Sequence, residues 1–132
     1  GRSQMKHVTY RNAKRTGHLV EFLRQLDPEK YRTAYRMEGS SNYALPLILK
    51  NPDADLFSRV LACLKECGVE YRKGTAGGGN QLRQPYARDR WGDLYKQFPQ
   101  AEHIHFYGLY CGNYPSLERE MIEQLYRELN TL

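Results

Sequence analysis

Two short segments carry the side chains best suited to chemistry. They are Gly79-Asn80-Gln81-Leu82-Arg83-Gln84-Pro85-Tyr86 and Gly112-Asn113-Tyr114-Pro115. Both are glycine-started turns, and both sit where ordered segments stop. Between them they offer amides, a guanidinium and phenols. Asn80, Arg83, Gln84 and Tyr86 are expected to point polar groups into a cleft shared with Asn113 and Tyr114, so the two loops read as one polar binding site. The bland alternative is a pair of surface loops closed by local turn bonds.

The remaining candidates are weaker. Gly77-Gly78-Gly79 invites a phosphate-loop reading, because successive backbone amides can cradle an anion. No Gly-Lys-Ser/Thr ending follows, so the glycines are expected to supply flexibility instead. His103 and His105 lie two apart and share a face if they lie on a strand. A metal site needs a third ligand that the spacing does not supply, so none is expected. Hydrogen bonds are the expected fate of both rings, unless one lines the cleft. Cys111 has nothing beside it that marks an activated nucleophile. The chain shows no self-sufficient catalytic machinery.

Size and charge bound the rest. The 132 residues make one domain, 40% hydrophobic, with 11 tyrosines. The formal charge is +5, but basic and acidic residues are mixed along the chain, so no specific nucleic acid is expected. Three cysteines do not build a disulfide framework, and Cys63 and Cys67 are expected to be small core or boundary residues on one helix face. No signal peptide and no apolar run of membrane-spanning length is present in the sequence given. The start, Gly1-Arg2-Ser3, lacks a methionine and reads as the edge of a piece taken from something longer.

Elements of a small α+β domain must position the two loops. Leu19, Phe22, Leu23 and Leu26 predict a helix from about Thr9 to Leu26, stopped by Asp27-Pro28. Its basic opening (Lys6, Arg11, Lys14, Arg15) suits a solvated face or a junction with a preceding domain. Tyr43 to Leu49 reads as a buried strand, although Pro46 argues for an edge or a bulge. Asn51-Pro52-Asp53 reads as a helix start, with Leu56, Val60, Leu61 and Leu64 as the buried stripe and Gly68 as the stop. Val69 to Arg72 returns as a strand.

Arg88 to Phe98 is expected to be a short helix with Trp91, Leu94, Tyr95 and Phe98 inward. His103 to Tyr110 alternates as a strand would. Ser116 is expected to cap a last helix whose apolar face is Met121, Ile122, Leu125 and Leu129. The order predicts a small, mostly antiparallel sheet covered by helices in two layers, mainly on one face.

These residues resemble a known family. Tyr43-Ala-Leu-Pro-Leu-Ile-Leu-Lys50, the helix after it and Gly68-Val-Glu-Tyr-Arg72 are similar to the small-domain strand–helix–strand of the nucleotide-sugar aminotransferases and dehydrases. This is the DegT–DnrJ–StrS group of fold type I pyridoxal-phosphate enzymes. Asn80-Gln-Leu-Arg-Gln-Pro-Tyr86 resembles the Gly-Asn-x-x-Arg-Gln-Pro segment of its 3-dehydrase-like branch, and Gly112-Asn-Tyr-Pro115 that branch's Gly-Val-Tyr-Pro turn. Arg11-Asn12-Ala13 resembles the family's linker-helix motif. The loop between Arg72 and Asn80 is longer than in those dehydrases.

The resemblance implies a C-terminal small domain, with residues 1–27 as linker helix and 28–132 as its α/β body. It implies that a large N-terminal domain, absent here, holds pyridoxal phosphate, so the fragment alone is expected to bind no cofactor and to be inactive. The implied parent is a cytoplasmic homodimer acting on a nucleotide-sugar substrate in polysaccharide or lipopolysaccharide synthesis. Asn80, Arg83 and Tyr114 become the leading sugar or phosphate contacts. The rival reading is a free-standing basic α+β module that binds RNA or a phosphorylated partner.

Overall fold

The computed structural model describes residues 5–76 and 79–132. Gly77 and Gly78, two of the three loop glycines, lie outside the described residues. Among the described residues, five α-helices and a three-stranded sheet follow one another as α1 (Val8–Gln25), β1 (Ala44–Ile48), α2 (Ala54–Glu66), β2 (Tyr71–Lys73), α3 (Pro85–Trp91), α4 (Pro99–Tyr107), β3 (Gly108–Gly112) and α5 (Arg119–Thr131). The expected α+β class is what the chain forms.

The sheet order is β1-β3-β2, all antiparallel, with β3 in the centre. Ala44 lies opposite Gly112 and Ile48 opposite Gly108, while Tyr71 lies opposite Cys111. Pro46 therefore sits on an edge strand, where a missing N–H need cost no ladder bond. Alternation divides the sheet into two faces. Leu45, Leu47, Leu109 and Cys111 face a core completed by α1 (Leu19, Phe22, Leu23), α2 (Leu56, Val60, Leu64) and α5 (Ile122, Leu125, Leu129). Ala44, Pro46, Arg72, Tyr110 and Gly112 face the other way. The three helices thus cover one face and leave much of the second open.

Several local expectations need correction. The N-cap of α2 is Asp53, whose carboxylate accepts from the Leu56 N–H at 2.8 Å, so Asn51 and Pro52 precede the helix. A charged cap at the positive helix end outcompetes the amide two residues earlier. The buried stripe of α2 includes Cys63, while Leu61 is only partly buried. Gly68 stops the helix at φ +66°, as its position suggested. The strand after it is shorter than expected, Tyr71–Lys73.

Residues 85–98 do not form one helix. Gly92, at φ +57°, ends α3, and Leu94–Gln97 is a separate 3-10 turn. With the helix broken, no single inward stripe exists, and Trp91 and Phe98 are each 48% exposed. The segment expected to be a strand from His103 is helix α4 as far as Tyr107. Pro99, read as a stop, instead occupies its first turn. The strand begins only at Gly108, where a side chain would meet the Ile104 carbonyl. In α5 the N-cap is Glu118, not Ser116, because a preceding turn from the Tyr114 carbonyl to the Leu117 N–H uses that residue. Met121 is 57% exposed and leaves the apolar face to Ile122, Leu125 and Leu129.

Candidate functional site

The two loops lie at opposite ends of β3. The 80–86 segment packs on α4, which leads into Gly108. Asn113 and Tyr114 follow Gly112. Five residues of extended strand separate those ends by about 15 Å. Among the described residues the chain thus has two polar sites where one shared cleft was expected.

At the Gly108 end, Asn80 is 5% exposed. Its side-chain carbonyl caps the Gln81–Arg83 turn by accepting from the Leu82 N–H. Its amide donates to Glu102 Oε1 at 2.9 Å and to the Tyr95 carbonyl at 3.3 Å. Arg83 aims its fork at the same carboxylate, with Nε 2.7 Å from Oε1 and Nη2 2.6 Å from Oε2. The guanidinium carbon lies 4.4 Å from the ring centre of Tyr95 and 4.7 Å from that of Phe106. This is a charge-assisted, aromatic-flanked pair. The Arg83 hydrogen bonds hold the Glu102 carboxyl below the usual carboxylate range, and Glu102 raises Arg83 in return. Arg83 is therefore committed within the chain. Gln84 is half-buried at the start of α3, and its side chain makes no cap bond. Tyr86 is 66% exposed, its hydroxyl on Gln81.

The histidines are satisfied by hydrogen bonds, as expected, but on a helix and not on one strand face. His103 Nε2 lies 2.6 Å from the Leu49 carbonyl. His105 Nδ1 accepts from the Asn80 N–H at 3.2 Å. Gly79 is needed here for close approach, since a side chain would collide with that ring and with the Gly74 carbonyl. No metal-binding group of His, Cys, Asp or Glu occurs among the described residues.

At the Gly112 end, Asn113 is 1% exposed and fully engaged. Its Nδ2 donates to the carbonyls of Arg15 (2.9 Å) and Asn42 (2.8 Å), and Oδ1 lies 3.0 Å from His18 Nδ1. With both amide hydrogens used, Oδ1 is the acceptor and His18 carries its proton on Nδ1. Asn113 fastens α1 to the end of β3, its side-chain amide engaged within the chain. Tyr114 next to it is 61% exposed, its ring folded over Gly112, where a Cβ would lie 2.8 Å from it.

Tyr114 borders an open groove of about 850 Å³ that runs from the uncovered sheet face, past the β2 edge, to the end of α2. Sequence reasoning missed most of its walls: Arg15, Tyr43, Lys65, Arg72, Lys73 and Tyr110. Lys65, Arg72 and Lys73 have no acidic partner among the described residues, whereas Arg83, Arg88 and Arg119 all do. Tyr43 meets Tyr110 edge-on at 6.1 Å. Among the described residues the one acid in the lining is Glu70. A surplus of unpaired cations beside exposed phenols is suited to a planar or sugar-bearing anion. The available signal was alternation: Arg72 and Tyr110 are register partners on the face that the apolar stripes leave bare.

No family model matches the sequence, and no curated protein matches it. Solved structures do match. A GDP-4-keto-6-deoxymannose-3-dehydratase with a trapped PLP-glutamate geminal diamine aligns at TM-score 0.78 and 21% identity, over 96% of this chain and 33% of that one. The E. coli enzyme of that name with bound hydrated PLP aligns at 0.79 and 20% identity, with the same coverage. Spr1654 of Streptococcus pneumoniae, assigned as a sugar aminotransferase, aligns in its PMP form at 0.79 and 11% identity, over 99% and 33%. The chain has the fold of the small domain of these pyridoxal-phosphate enzymes and spans about a third of their length.

Proposed function

We propose that this chain is the C-terminal small domain of a pyridoxal-phosphate-dependent enzyme acting on nucleotide sugars, a transaminase or 3-dehydrase, with residues 1–27 as its linker and 28–132 as the body. The observation that carries this reading is the alignment of nearly the whole chain with one third of enzymes of both kinds, at TM-scores of 0.78 to 0.79. The Asn80–Tyr86 and Gly112–Pro115 motifs support it independently.

The chain's own residues do not fit the cofactor. A Schiff-base lysine works when desolvated, and no lysine among the described residues is buried. No step through pyridoxal phosphate is therefore assigned to this chain, and we propose that the cofactor sits in a large domain of a cytoplasmic, homodimeric parent.

What the chain supplies is one wall of the substrate site. The open sheet face is the surface turned toward substrate: Arg72 meets the phosphates, and Tyr43 and Tyr114 meet the planar or sugar portion. Of the six residues singled out in the sequence, Tyr114 has the most direct part. Asn80, Arg83 and Asn113 set the shape of the loops that Gln84 and Tyr86 extend. The test is to purify the complete polypeptide containing this chain and titrate it with pyridoxal phosphate. Stoichiometric binding supports the reading, and a folded product that takes up none removes it.

A further inference from the structure

The 80–86 segment is held to α4 by a four-residue network with an acid-sensitive member. Glu102 receives both Arg83 and the Asn80 amide, and His105 Nδ1 receives the Asn80 backbone N–H. An imidazole accepts at Nδ1 only while that nitrogen is bare. Protonation would set a donor against the Asn80 donor and place a second cation near the Arg83 guanidinium. Gly79 approaches the ring so closely that no side chain would fit between them.

We infer that this network is a pH-operated latch: neutral His105 holds the 80–86 segment on α4, and protonation of His105 releases it. The charged groups acting on His105 are Arg83, from the turn it faces, and Glu102, on its own helix. Burial and then the Arg83 cation push its pKa below the usual histidine range, while Glu102 opposes them. The latched state thus prefers the neutral ring. The hold is complete above the unlatched value of about 6.5 and is lost as pH falls through the lower latched value. Glu102, also held low, gives a second loss further into acid, in the same direction. This device stands or falls independently of the enzyme assignment.

The test is hydrogen exchange of the 132-residue chain from about pH 7.5 to about pH 5, corrected for the intrinsic rate. Protection of residues 80–84 should fall by up to tenfold per pH unit within the window, while α5 stays protected. His105→Asn keeps an acceptor near the Nδ1 position and cannot take a proton there, so its 80–84 protection should be flat across the range. Imidazole nitrogen shifts of the unaltered chain provide a reading that needs no variant. They should show Nδ1 bare at neutral pH and protonating as the loop loosens. Unchanged 80–84 protection on acidification, a His105→Asn chain that loosens in step with the parent, or a proton on Nδ1 at neutral pH would overturn the latch.

Discussion

Asn113 and Arg15 bond to each other twice, in opposite directions. The Asn113 amide donates to the Arg15 carbonyl at 2.9 Å, and Arg15 Nε donates back to the Asn113 carbonyl at 3.1 Å. The pair closes α1 onto the end of the central strand and fixes the base on which Tyr114 stands. Replacing Asn113 by leucine would strand the buried Asn42 carbonyl and cut the ties to the Arg15 carbonyl and the His18 ring. We predict a loss of about 2–4 kcal/mol, read by urea unfolding. Stability within about 0.5 kcal/mol of the parent would show the pair to be incidental.

The groove makes a second prediction. A nucleoside diphosphate should bind the chain weakly, and Arg72→Ala should weaken it by about tenfold or more, as loss of a charge-assisted contact does. Arg83→Ala and Arg36→Ala should leave binding unchanged, because Arg83 is committed to Glu102 and Arg36 pairs with Glu38 far out in solvent. Calorimetry at low and physiological salt checks this. Equal losses from all three substitutions would mean diffuse charge, with no site in the groove.

The fold was legible where one signal dominated. The 3.6-residue stripes of α1, α2 and α5, and the apolar run of β1, gave the two-layer plan. Residues 85–107 were not legible, because two prolines and Gly92 punctuate them and the His-Ile-His-Phe alternation fits a strand as well as a short helix. The deciding factor was tertiary: α4 closes on Leu49 through His103 and on Asn80 through His105. The site was half legible. The motifs of both segments stood out by residue type, but β3 between them was misplaced, and with it the distance that separates them. Asn113 looked like a ligand contact because sequence shows residue type and not how many of its hydrogen bonds are already taken.

The cysteines give a third prediction. Burial pushes Cys111 up to about 12, and burial, with Cys67 next, pushes Cys63 up to about 11. Both therefore stay thiols at neutral pH, while Cys67, at the end of α2, is half-exposed. A maleimide or disulfide reagent should label Cys67 first. Cys63 and Cys111 should follow only as the chain opens, each slower by about tenfold or more. Peptide mapping after timed quenching reads the order, and early labelling of Cys111 would contradict the packing of the central strand.

The central claim is that this chain walls the substrate site of a pyridoxal-phosphate sugar enzyme. Its most direct test is turnover by the complete polypeptide, given pyridoxal phosphate, glutamate and a GDP-linked 4-keto-6-deoxy sugar, with products read by mass spectrometry. The predicted result is conversion to an amino sugar or a 3-deoxy sugar, slowed by about tenfold or more when Arg72 and Tyr114 are replaced by alanine and phenylalanine. Conversion at the unaltered rate in that double variant would contradict the placement of the wall. A folded polypeptide that leaves this and other nucleotide sugars unchanged would contradict the claim itself.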